Sequence, residues 1–362
     1  MIAEHRGAAA SVKRMPDALP DQPTHDAPRA PVPDRTTGMR AVVNSTDGGP
    51  RSLQLREVPV PHRAPGHVLV EVRAAGVAFP DVLQSRSEYQ HRIPTPFVLG
   101  SEFAGVVAEA GEDSGFAEGD RVFGVASHGA FAEYVVAPAD RVLPLPDSIS
   151  FVDAAALPIN LLSADFALRD RGQVRAGETV LIQGAAGGLG VALIQQAKLI
   201  GATVIAVVST EEKAALARSV GADHTVFAAD FLTEVRQLTD HRGVDVVLDP
   251  VGGDRFTDSL RCLAKRGRLV VLGFTGGSIP TVKTNRLLLG NISVVGAAWE
   301  GLMPECLVSL PEQWARLSPA VERGELRASI TAVVPLREAA ETVASLEERR
   351  ARGKVVIDLG LE

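Results

Sequence analysis

Residues 179–191 read Thr179-Val180-Leu181-Ile182-Gln183-Gly184-Ala185-Ala186-Gly187-Gly188-Leu189-Gly190-Val191. The apolar run Val180-Leu181-Ile182 has the composition of a strand buried on both faces. The glycines after it allow a tight turn, and Val191 to Ile200 has the makings of a helix that stops at Gly201. A strand, a glycine-rich turn and a helix in that order form a phosphate cradle, because the helix start offers free N–H groups and a positive dipole end. In the dinucleotide fingerprint G-x-G-x-x-G the three glycine positions here are Ala185, Gly187 and Gly190, with Gly184 and Gly188 adding freedom. Ala186 and Leu189 complete the loop.

Downstream the same rhythm continues. Thr203–Val208, Val244–Leu248 and Leu269–Leu272 read as strands. Glu212–Val220, Phe231–Thr239 and Arg255–Ala264 read as helices. Such alternation predicts right-handed βαβ units and a doubly wound parallel sheet, a Rossmann cofactor domain, over 160–323. Upstream, from Met39 through Arg40-Ala41-Val42-Val43 to Ile159, short β-like runs such as Val68–Val72 and Phe131–Val136 alternate with turns. The segment 324–362 returns to short strands around one helix, Arg337–Arg349. The expected fold is therefore α/β, with the cofactor domain inserted into a β-rich domain formed by 39–159 and 324–362.

Residues 1–38 differ from both parts. Six prolines between Pro16 and Pro33 punctuate Ala, Asp and Arg with almost no large apolar groups, so a disordered tail is expected, with Met39 as a possible natural start. The formal net charge of -7 disfavours nucleic acid as a partner. Two cysteines, Cys262 and Cys306, exclude a disulfide framework and a cysteine-rich zinc site, and are expected to be buried thiols. No apolar stretch reaches the ~20 residues of a membrane span, and no signal peptide is evident. A cytoplasmic protein is expected.

The cofactor's ribose is read about 20 residues past the loop, where an Asp or Glu would bond the 2′-hydroxyl and repel a 2′-phosphate. This chain has Val207-Val208-Ser209-Thr210 there, then Lys213. Two hydroxyls and an ammonium suit the 2′-phosphate, so NADPH is the expected cofactor. Ser209 can serve as a helix N-cap as well.

These stretches, together with Asp249-Pro250-Val251-Gly252-Gly253 and Asn291–Gly296, resemble the medium-chain dehydrogenase/reductase superfamily. Gly76–Leu83, Tyr89-Gln90 and Pro96–Glu102 are similar to its zinc-free quinone oxidoreductase branch. The resemblance implies a GroES-like fold for the β-rich catalytic domain. Zinc-bearing members place a cysteine at Ala78 and a histidine at Ser101, so no metal is expected. Members of the branch line the pocket with an asparagine and two tyrosines. Here Ala78 and Leu83 replace the asparagine and the first tyrosine, leaving Tyr89 as the candidate catalytic residue. Asp81 is a weaker candidate and reads more readily as an acid at a helix start than as a proton donor. The resemblance also places Asn160 and Ser163 at the nicotinamide amide. Asp249, Gly252, Gly273, Phe274 and Lys354 would line the cofactor cleft, and Ile292–Gly296 would be an edge strand that forms a homodimer. His128 reads as a surface-loop residue.

These readings imply an NADPH-dependent reductase that passes hydride to a quinone without metal. Two alternatives stay open: a reductase of enals, enones or enoyl thioesters, and a non-catalytic NADPH-binding sensor or structural protein.

Overall fold

A computed structural model describes residues 38–299, 301, 309–348 and 353–361. The expected tail lies outside these residues except for Gly38, as do Cys306 and Arg349. The first strand, β1 (Met39–Asn44), pairs antiparallel with β2 (Gln54–Val58). After β3 (His67–Val77) comes the two-residue β4 (Phe97–Val98), which returns to β1. Then β5 (Glu102–Glu109), β6 (Arg121–Val125), β7 (Tyr134–Pro138) and β8 (Val142–Pro144) join β3 in an antiparallel sheet. Helix in this part is short: α1 (Phe79–Ser85), α2 (Phe151–Ala155) and α3 (Pro158–Asp165).

The parallel sheet follows. Its elements are β9 (Thr179–Ile182), α4 (Gly188–Ile200), β10 (Thr203–Val208), α5 (Glu211–Ser219), β11 (His224–Phe227), α6 (Phe231–Leu238) and β12 (Val244–Asp249). They continue through α7 (Phe256–Arg261), β13 (Leu263–Val271), α8 (Thr284–Gly290) and β14 (Ser293–Gly296). The strand order is β11-β10-β9-β12-β13-β14, which reverses direction between β9 and β12. Successive side chains of each strand serve opposite cores. Leu181, Ile205, Val207, Val247 and Leu269 pack with α6 and α7 residues such as Phe231 and Leu260. Val180, Ile182, Val204, Ala206 and Val246 pack on the other face with Leu193, Ile194 and Ala214 from α4 and α5. The doubly wound layering thus follows from central strands whose successive apolar side chains feed both cores.

After α9 (Leu310–Glu322), the chain returns as β15 (Ile330–Pro335), α10 (Ala339–Glu347) and β16 (Lys354–Asp358). β16 pairs antiparallel with β3, from Val355 opposite Val77 to Asp358 opposite Ala74, so the C-terminal segment completes the first sheet. None of the described helices is long and apolar enough to cross a membrane.

Four expectations need correction. The helix read from Val191 begins at Gly188, because the glycines occupy its first turn. The helix read as Arg255–Ala264 is a 3₁₀ turn, Gly253–Arg255, followed by α7, which stops at Arg261. Leu263 already pairs in parallel with Val244, and a register shift absorbs the extra residues before Arg268 pairs with Val246. The last helix begins at Ala339, after a 3₁₀ turn at Leu336–Glu338. The N-cap of α5 is Thr210, not Ser209: its side chain accepts the Lys213 N–H. That leaves the Ser209 hydroxyl out of the cap.

Candidate active site

The reversal of strand order between β9 and β12 opens a crevice at their C-terminal ends, where such sheets take ligands. The loop Gly184–Gly190 forms its floor. Gly184 has φ +60°, and a Cβ on Gly190 would lie 2.4 Å from the Gly184 carbonyl oxygen. Only glycine lets α4 start that close to the end of β9. The loop is anchored below by Gln183 N–H to the Leu248 carbonyl at 3.0 Å and Ala185 N–H to that of Val207 at 3.3 Å.

Three further segments meet this loop. A Cβ on Gly184 would sit 3.2 Å from Val251, so the loop after β12 stands beside it. The buried Asp249 carboxylate accepts the Val251 and Gly252 N–H groups at 2.9 Å each, which turns it into its own loop. Burial raises its pKa. The Gly276 N–H donates to the Val251 carbonyl at 2.7 Å, and Gly252 lies against the Phe274 ring, so the stretch from Gly273 joins the wall. From the C-terminal segment, Gly353 bridges Gly187. From α3, Asn160 places its amide nitrogen 2.5 Å from where Gly188 would carry a Cβ. Ser163 lies one turn along the same half-buried face. A buried carboxylate, Asp165, fixes α3 by accepting from Arg316 of α9 at 2.6 Å.

At the end of β10, exposed Ser209 borders an open groove shared with Phe227, Asp230, Asp254, Arg255 and Asp258. Lys213 stands half-buried in the first turn of α5. The groove's carboxylates oppose an anionic ligand, and Arg255 is the cation that lines it. Arg255 escaped the sequence reading, since a charge read as lying inside a helix gave no sign that it faced a groove.

In the β-rich part, α1 carries a buried acid. Asp81 is fully buried. Its carboxylate accepts the Ala78 N–H at 2.8 Å and the Ser101 hydroxyl at 3.2 Å. Burial pushes its pKa up to about 7, and Glu102 adds to the rise. The positions where zinc-bearing members hold cysteine and histidine thus carry a methyl group and a hydroxyl already committed to Asp81. Zinc needs thiolate, imidazole or several carboxylates, and these residues do not fit it. Tyr89 is partly buried against the neighbouring core; burial raises its pKa, opposed by the adjacent Gln90 side chain. His128, expected on a surface loop, is half-buried with its ring edge-on to Phe97 at 5.8 Å. Cys262 is a buried thiol.

Asn160, Gly353 and the loops after β12 and β13 therefore meet the phosphate loop. Lys354, expected to line the cofactor cleft, is 3% exposed and donates to the fully buried Glu102, and it lines a small cavity together with Asn160 and Gly188. Glu102 itself was quoted only as part of a motif.

Two family models match the chain: an alcohol dehydrogenase GroES-like domain over residues 64–147, and a zinc-binding dehydrogenase over 188–320. A mouse (Mus musculus) protein named quinone oxidoreductase-like protein 2 is 37% identical over 311 residues, covering 85% of this chain and 89% of the relative. A 2-haloacrylate reductase from a Burkholderia species is 34% identical over 331 residues, covering 88% and 98%. Among solved structures, the quinone oxidoreductase of Thermus thermophilus, also solved with NADPH, superposes with a TM-score of 0.77 at 36% identity, covering 89% and 100%.

A protonated Asp81 in the fold and an ionised one in the unfolded chain make stability pH-dependent. The folded pKa, about 7, lies above the ordinary 3.8, so the contribution is full below about pH 4 and is lost as the pH rises through about 7. Asp81→Asn mimics the protonated acid, accepting from Ala78 and donating to Ser101. Its melting temperature should stay flat between about pH 5 and about pH 8 while that of the wild type falls. Parallel curves in calorimetry would contradict the buried acid.

Proposed function

The chain belongs to the medium-chain dehydrogenase/reductase superfamily, and on that premise we propose that it is an NADPH-dependent reductase that delivers hydride to a quinone without metal. The observation that carries this reading is the Ala78–Asp81–Ser101 arrangement, which offers no ligand set to polarise a simple carbonyl. It stands against the name of the family model that matches residues 188–320. A conjugated acceptor needs no Lewis acid, because charge arriving at one end is spread to an oxygen at the other. The reduced nicotinamide supplies the hydride.

The protein's own part is to bind, orient and shield. Gly184–Gly190 and the start of α4 hold the pyrophosphate, Asn160 and Ser163 the amide end, and Ser209, Lys213 and Arg255 the 2′-phosphate. Asp249, Gly252, Gly273 and Phe274 shape the wall between. Tyr89 orients the acceptor and offers a hydrogen bond to its oxygen. We take 39–159 with 324–362 as the catalytic domain and 160–323 as the cofactor domain. A second reading, reduction of an α,β-unsaturated carbonyl compound, draws support from the relative named for haloacrylate reduction and from the apolar Ala78 and Leu83.

NADPH oxidation against a panel of quinones, enals and enoyl thioesters separates these readings. Quinones are expected to be the fastest acceptors, with activity unaffected by chelator and reduced about 10-fold in Tyr89→Phe. Preference for an enal or thioester would support the second reading. No turnover alongside tight NADPH binding would leave a binding protein only.

Lys213→Ala and Arg255→Ala should each weaken NADPH about 10-fold in fluorescence titration while leaving NADH within about 2-fold. Equal losses for both cofactors would reject the phosphate contact.

We also propose a homodimer that pairs β14 across a two-fold axis. β14 is a sheet edge with Val294 exposed, beside Leu288 and Leu289 of α8, each about three-quarters exposed. Val294→Lys should shift the mass in light scattering from dimer to monomer; an unchanged dimer would place the interface elsewhere.

A further inference from the structure

Lys354 and Glu102 lie 252 residues apart in the chain and meet in the interior. The Lys354 ammonium donates to Oε1 of Glu102, and Oε2 accepts the Ile159 N–H at 3.0 Å. Ile159 sits in the first turn of α3, immediately before Asn160. Gly353, immediately before Lys354, bridges Gly187. Asn160 lies over Gly188. These contacts close a circuit that runs from the phosphate loop through Gly353, Lys354, Glu102, Ile159 and Asn160 back to the phosphate loop. Space is reserved for it: a Cβ on Gly76 would fall 2.6 Å from Glu102 Oε1 and 2.3 Å from the Ala155 carbonyl.

A buried ion pair is a poor source of stability, since apolar residues of the same volume do as well or better. Its worth lies in fixing where charged and hydrogen-bonding groups stand. We propose that Glu102 and Lys354 are positioning residues whose ion pair locks Asn160 and the C-terminal strand onto the phosphate loop, setting the nicotinamide end of the cleft for hydride transfer. The pair acts through Asn160 and Gly187. The inference rests on the proposed reductase function only for its kinetic readout.

The first test needs no cofactor. In the ligand-free protein, Lys354→Met should speed amide hydrogen exchange at Gly187–Gly190 and at Ile159–Asn160 by about 10-fold or more, leaving β10 and β12 unchanged. Kinetically, Lys354→Met should lower single-turnover hydride transfer about 10- to 100-fold, because a small misplacement of reacting groups costs that much, with the acceptor KM within about 2-fold. Lys354→Arg should restore most of the rate. If Lys354→Met does not fold, the double variant Glu102→Gln/Lys354→Met, which buries no unpaired charge, should show the same local exchange and slow transfer. Unchanged exchange at Gly187–Gly190 and Ile159–Asn160 in a folded variant would overturn the proposal, as would wild-type hydride transfer. A wild-type protein without turnover would count against the reductase reading alone and leave the exchange result to decide this one.

Discussion

The approach of α4 to the end of β9 is the constraint on which the rest of the structure depends. Gly190 lets the helix begin within van der Waals reach of the Gly184 carbonyl, and that closeness aims the free N–H groups of the first turn into the crevice between β9 and β12. Parallel strands, buried on both faces, hold the loop from below through the Leu248 and Val207 carbonyls. Everything else in the site is arranged around this fixed point: the loops after β12 and β13 beside it, α3 over Gly188, and the C-terminal strand at Gly187.

Much of this was legible in the sequence, for a local reason. Val180-Leu181-Ile182 and Val246-Val247-Leu248 are apolar at every position, which is what a doubly covered parallel strand requires. The glycines of the loop announce a turn into a helix. Chain ends of elements were less legible. Thr210 took the cap that Ser209 could have filled, since adjacent hydroxyls offer the same chemistry and only backbone geometry decides. Leu263 and Ala264 went to a strand although they read as helix, because pairing with Val244 outweighed local propensity.

The catalytic side was least legible, because its chemistry is made by residues far apart in the chain. Asp81 reads as an acid at a helix start, and it is one; that Ser101 shares its carboxylate depends on β5 entering beside α1. Lys354 reads as a cation at the cleft, but its buried partner Glu102, 252 residues away in the chain, leaves no local mark. Two buried carboxylates, Asp81 and Glu102, are satisfied there by amides, a hydroxyl and one ammonium.

Direct hydride delivery to a conjugated acceptor is the central claim, and isotope transfer tests it most directly. Metal-depleted protein would be given NADPH carrying deuterium on the reactive ring carbon, with an unsaturated ketone or a quinone as acceptor and mass spectrometry of the products. Direct delivery requires one deuterium to leave the cofactor per turnover, with a primary isotope effect on single-turnover cofactor oxidation. Where the product forms a stable carbon–hydrogen bond, the label should be found on the β-carbon. Turnover only after zinc is restored, or reduced acceptor formed with no isotope effect and no label where a stable bond would keep it, would contradict the account.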